Sequence, residues 1–135
     1  MKSWMIGLLL ALSTFGAHAA SVTAAQDPWP PFVIDANKGI SVELVKRALA
    51  TQGYELDMRI MPWARALSEV EEGNIDILVG AWFTEARTKS LRFSDEYLKN
   101  QVKFIQLAGG SFELNGLASL KGKSIATNRG SIGHY

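Results

Sequence analysis

Between residues 21 and 81 the apolar residues change period four times, and this alternation restricts the fold more than any other feature of the chain. Residues 21–26 read as a short strand with Val22 as its clearly strand-forming apolar residue. Asp27-Pro28-Trp29-Pro30-Pro31-Phe32 follows, and three prolines in four positions cannot continue a strand ladder. That stretch is a fixed loop at a strand end, holding Trp29 and Phe32 on stiff backbone. Residues 41–52 switch to a helical period: Leu44, Val45, Ala48 and Leu49 share a face, and Glu43 and Arg47 can pair at i,i+4 on another. Ser41 suits the N-cap, and Gly53 the left-handed stop. Residues 54–61 alternate Tyr54, Leu56, Met58 and Ile60 with Glu55, Asp57 and Arg59, a strand with one wet face that belongs at a sheet edge. Pro62 opens a second helix with the stripe Trp63, Ala66, Leu67 and Val70, ended by Gly73. The nearly unbroken apolar run 75–81 predicts a central strand covered on both faces. Strand, helix, strand, helix, strand with short connections is most simply an α/β lobe: a mostly parallel sheet flanked by helices, with right-handed crossovers.

The remainder is less regular. Residues 84–87 read as a helical turn, 102–107 as a strand broken by Gly109-Gly110, 117–120 as a short helix, and 124–127 as the start of another strand. Residues 130–135 do not read as a finished C-terminus. The expected division is therefore a leader over 1–19, a first lobe over 20–108, and over 109–135 a crossover opening a second lobe that is cut short.

The N-terminus speaks to compartment. Lys2 precedes an apolar run from Trp4 to Phe15, and Ala17-His18-Ala19 offers small residues around a spacer, the pattern a signal peptidase accepts. The run is shorter than the roughly 20 apolar residues that span a bilayer. Cleavage before Ala20 and a periplasmic product are expected. With no Cys, a lipid anchor, disulfides and Cys-based zinc sites are excluded. The chain has 14 Lys+Arg and 13 Asp+Glu, so losing Lys2 leaves 13 of each. A neutral chain without blocks of like charge has no field to draw it to nucleic acid or anionic lipid. A small molecule or another protein is the expected partner, and a monomer the expected state.

The segment from Asp76 onward carries the most specific pattern. It reads Asp76-Ile-Leu-Val-Gly-Ala-Trp82-Phe83-Thr84-Glu-Ala-Arg87, and continues to Phe93-Ser94-Asp95-Glu96-Tyr97. This resembles the bacterial extracellular solute-binding proteins of family three, the amino-acid-binding type, in which a buried strand, a Thr-x-x-Arg turn and a Phe-Ser-Asp-Pro-Tyr element follow one another. The aromatic-proline loop 28–32, the Gly-bounded helix 39–53, Pro62-Trp63, Gly73-x-x-Asp76, Leu120-Lys121-Gly122-Lys123 and Gly130-Ser131 match the family in the same order. The resemblance implies a two-lobed protein that closes on a small carboxylate-bearing solute, an amino acid or relative, and delivers it to an ABC-type permease. Of two such lobes this chain would carry one and the root of the other, so the 135-residue product is expected to bind weakly or not at all.

The resemblance also implies roles. Arg87 would grip the ligand carboxylate, since a guanidinium holds a carboxylate through two parallel hydrogen bonds; the plainer reading is a surface Arg paired with Glu85 or Asp95. Thr84 stands at the matching place in the same turn. Ser131 would meet an anion at a second-lobe helix start, or act as an ordinary N-cap. Trp29, Phe32 and Trp82 could line an aromatic pocket over an apolar or cationic part of the ligand. For Trp63, on a helix stripe, a core position is at least as good a reading. Arg65 pairs more naturally with Glu69. The chain departs from the family in being one residue shorter between Asp76 and Thr84, in placing Trp82-Phe83 where small polar residues are usual, and in Glu96 for Pro. Arg87 keeps an acid as the expected ligand, while these departures leave the α-amino-acid class open.

Catalysis finds little support. It needs a nucleophile, a base and an orienting group, and past residue 19 the sole His is His134. No metal cluster, cofactor or catalytic residue is expected. The alternatives are a dehydratase-like periplasmic enzyme of the same fold and a ligand-sensing module of a signalling or lytic protein.

Overall fold

The computed structural model describes residues 20–127 and 129–130; the expected leader over 1–19 and Ser131 lie outside them. Strand β1 (Ala20–Gln26) leads into helix α1 (Ile40–Ala50), strand β2 (Tyr54–Ile60), helix α2 (Trp63–Glu71) and the short strand β3 (Ile77–Leu78). Both ladders are parallel, in the order β2-β1-β3. The predicted α/β lobe with a parallel sheet is what the chain forms.

Ala24 and Ala25 explain how the layers meet. Successive strand residues face opposite sides, and both alanines are fully buried. Ala24 joins Val33, Val42, Met58 and Val79 in one cluster, with Val45 of α1 packed against it. Ala25 joins Ala66 and Ile75 in another, with Val70 of α2 alongside. The helices therefore cover opposite faces. Since the chain also moves in opposite directions from β1 to β2 and from β2 to β3, the two crossovers share one hand.

The wet-faced strand is indeed at an edge: in β2 Met58 is buried while Glu55, Asp57 and Arg59 are exposed. The predicted central strand over 75–81 is corrected. Only Ile77 and Leu78 pair, and only with β1, so β1 is the middle strand. Ile75 and Val79 are nonetheless buried, on opposite faces. The apolar run reported burial rather than pairing. The strand expected over 102–107 does not form either; Ile105 is 95% and Leu107 87% exposed, and no described strand pairs with that segment. Residues 124–127 likewise carry no strand.

The cap of α1 lies two residues earlier than expected, at Gly39 rather than Ser41. Ser41 is buried in the first turn and makes no capping bond; Gly39 precedes the helix at φ 131°. The first helical amides are satisfied from a distance: Ile40 N–H donates to the Pro31 carbonyl at 3.1 Å and Ser41 N–H to that of Phe32 at 3.0 Å. The buried side is Val42, with Val45 and Leu49 half-buried, while Leu44 points to solvent. Burying a Val side chain contributes about 1.5–3 kcal/mol. Helix α2 follows directly on Pro62 and stops at Gly73, whose φ of 78° needs no Cβ to be accommodated. Arg65 and Glu69 pair at 3.4 Å, as expected.

A reciprocal clasp sets β3 against β1. Thr23 donates from its backbone N–H (2.8 Å) and its hydroxyl (2.6 Å) to one Asp76 oxygen, and Asp76 N–H donates back to the hydroxyl at 3.1 Å. The hydroxyl and the amide of Thr23 stabilise the carboxylate and hold the Asp76 pKa below its ordinary value. A depressed folded-state pKa contributes stability above the unfolded value of about 3.9 that disappears as pH falls through the folded value. Asp76→Asn is therefore expected to destabilise the protein at pH 7 and to flatten its loss of stability below about pH 4. Urea melts at a series of pH values check this; parallel curves for wild type and variant would refute it.

Candidate functional site

Ligands of open α/β sheets sit in the crevice beyond the carboxyl ends of the strands. Three connections converge there: the aromatic-proline loop after β1, the start of α2 after β2, and the segment after β3. In the first loop Trp29 N–H donates to the Val33 carbonyl at 2.7 Å, and the Phe32 and Val33 amides return to the Trp29 carbonyl at 2.8 and 2.9 Å. This tight loop holds the half-buried Trp29 and Phe32 rings together, with centroids 4.7 Å apart and planes tilted by 49°. Trp29 also packs on the core cluster and approaches Gly80, where a Cβ would lie 3.8 Å from its ring. The Tyr97 hydroxyl donates to the Val79 carbonyl beside it.

The turn predicted over 84–87 is a 3-10 helix, Glu85–Lys89, with Thr84 as its N-cap. The Thr84 hydroxyl accepts from Arg87 N–H at 3.3 Å, so Thr84 fixes the backbone that presents Arg87. The guanidinium donates from Nη1 to the Trp82 carbonyl and from Nη2 to the Gly130 carbonyl, both at 2.9 Å. Neither Glu85 nor Asp95 pairs with it, so the plainer reading of Arg87 as an ion-paired surface residue does not hold. Burial lowers the Arg87 pKa, partly offset by the charge of Glu71. An arginine begins so high that it stays charged near neutrality. Ser90, at the end of the turn, donates to Glu71 at 2.7 Å and ties the turn to α2.

Trp63 was the ambiguous residue, and it serves both purposes. It is 8% exposed, yet its ring lies 5.3 Å from the Arg87 guanidinium carbon and its Nε1–H donates to Gly130 at 2.8 Å. Periodicity placed it on the core stripe. Its place as the first residue of α2, directly past the carboxyl end of β2, is the signal that periodicity passed over. A cleft of about 340 Å³ beside it is lined by Asp27, Pro62, Trp63, Ala64 and Arg129. Asp27 and Arg129 were not singled out in the sequence. Of the expected residues, the fold brings Thr84, Arg87 and the Trp82 carbonyl together, and Trp29 with Phe32 into a second group. Trp82 as a whole is 37% exposed.

This arrangement, an arginine fork and an aromatic pair at the strand ends of a parallel sheet, can be set beside known proteins. The sequence profile of bacterial extracellular solute-binding proteins, family 3, matches residues 22–114. The chain belongs to that family. The family's extracellular character implies a periplasmic or secreted location. It is similar to the arginine-binding extracellular protein ArtP of Bacillus subtilis (strain 168), with 26% identity over 149 aligned positions. That alignment takes in 98% of this chain and 58% of the relative, so the family 3 chain described here spans little more than half the relative's length. No solved structure matches the chain.

Proposed function

We propose that the protein captures a small carboxylate-bearing solute, an amino acid or a close relative, in the periplasm and presents it to an ABC-type permease. The observation that carries this reading is the Arg87 fork, whose two terminal nitrogens each donate to an oxygen acceptor at the mouth of the crevice. A carboxylate offers two such acceptors in one group with a full negative charge, and so is a better partner for the guanidinium than a pair of neutral carbonyls. Trp29, Phe32 and Trp82 would cover the rest of the solute, Thr84 would keep Arg87 in place, and Ser131 would add a hydroxyl from the other side. Residues 20–108 then form the first lobe and 109–135 the opening of the second, behind a cleaved leader over 1–19.

The name of the Bacillus relative makes L-arginine the first solute to test, followed by other amino acids and organic acids. Aromatic faces suit a cationic side chain as well as an apolar one. Calorimetric or NMR titration is expected to give saturable binding of at least one carboxylate, with the solute recovered unchanged. The 135-residue chain is expected to bind weakly or not at all, so this series is run on a longer chain that carries both lobes. Chemical conversion of the solute would instead favour an enzyme, and no response to any acid across the series would end the reading.

A further inference from the structure

Gly130 is placed with unusual specificity for a residue 43 positions from Arg87. Its φ of +76° is left-handed, and a Cβ there would lie 3.3 Å from Trp63 Cδ1 and 3.4 Å from Nε1. Its carbonyl oxygen receives two donors, Trp63 Nε1–H at 2.8 Å and Arg87 Nη2 at 2.9 Å. The other arm of the fork is on the Trp82 carbonyl. Both terminal nitrogens of the residue assigned to the solute are thus bonded to the chain itself, and the indole beneath the guanidinium is held by the same atom.

We infer that the Gly130 carbonyl is an internal stand-in for a ligand oxygen, a latch that holds Arg87 and Trp63 until a carboxylate displaces it. The inference rests on the carboxylate reading of Arg87. It adds that binding at this site is an exchange of acceptors rather than the filling of a free one. A neutral carbonyl is the weaker acceptor for a cation, so an acid can displace it, whereas an uncharged solute gains nothing by the exchange. The latch therefore selects for charge on the solute as well as holding the fork in its working geometry.

The indole N–H of Trp63 reports the latch directly and can be assigned in a nitrogen-15 spectrum of the chain with Trp63→Phe. Without solute, its exchange with water is expected to be at least about fivefold slower in the wild type than in Gly130→Ala, with protection of the β1 amides unchanged. Equal exchange in the two proteins overturns the latch, and no ligand enters that comparison. L-arginine at millimolar concentration is then expected to move the Trp63 indole resonance toward its position in Gly130→Ala. Agmatine, which keeps the guanidinium but lacks the carboxylate, is expected to leave it in place. If L-arginine shifts the Trp29 or Trp82 resonances and leaves Trp63 unmoved, displacement is wrong although binding occurs. If no resonance moves, displacement falls together with the reading on which it rests.

Discussion

Arg87→Ala is expected to abolish saturable binding of carboxylate solutes while leaving the protein folded. The side chain is only half-buried, and the 3-10 helix that carries it is capped through its backbone by Thr84. Its removal costs the lobe two bonds to carbonyls and the contact with Trp63, none of them in either hydrophobic cluster. The solute, in contrast, loses the fork that holds its carboxylate. Hydrogen bonds to charged groups contribute about 1.5–3 kcal/mol each, so losing one or two of them weakens binding by at least tenfold and up to more than a hundredfold. Arg87→Lys keeps the charge but not the planar pair of donors, and is expected to fall between the two. Titration of the three proteins with L-arginine, alongside their melting curves, decides the matter. Equal affinity in Arg87→Ala would remove Arg87 from the site.

The second large effect falls on stability. Gly39→Ala is expected to cost about 2–4 kcal/mol, because strain at an unfavourable φ is compounded by a collision. At φ +131° a Cβ would stand 2.3 Å from the Phe32 carbonyl oxygen, 2.8 Å from its carbon and 2.9 Å from the Val33 Cα. All three are backbone atoms, so no side chain can swing aside. The same Phe32 carbonyl accepts the Ser41 amide, and Val33 is fully buried. Relief therefore requires either breaking the cap of α1 or lifting the loop off the core. For a domain of this size the loss corresponds to a fall in melting temperature of roughly 10–20 °C. Thermal unfolding by circular dichroism measures it, and a change below about 0.5 kcal/mol would contradict the packing described.

The local periods made the element order legible, since each segment buries one face at its own spacing. Leu56 and Met58 against Asp57 and Arg59 identified an edge strand correctly. The start of α1 was not legible, because its first amides bond to two loop carbonyls nine residues earlier, and Ser41 mimicked the usual local solution. The predicted stripe also counted Leu44 and left out Val42, although Val42, Val45 and Leu49 share a face at i, i+3 and i+7. In 75–81 the apolar run correctly signalled burial of Ile75 and Val79. It could not show that Asp76 turns to Thr23 and that only two residues enter the ladder. The helical turn at 84–87 was readable because such a turn is local, whereas the roles of Thr84 and Arg87 came from the family resemblance. Trp63 was not, since at the first turn of a helix one ring can face the core and the crevice together. The contact between Arg87 and Gly130 has no local signature at all.

The paired alanines of β1 carry a consequence for how damage would spread. One methyl group at residue 24 and one at residue 25 set the thickness of the sandwich on its two sides. The first side supports the Trp29–Phe32 loop through Val33 and α1; the second supports Trp63 through Ala66 and α2. A bulkier residue at 24 would tilt the aromatic wall and spare the arginine fork, and one at 25 would do the reverse. Two neighbouring positions in a single strand thus act as separate adjusting screws for the two halves of the crevice.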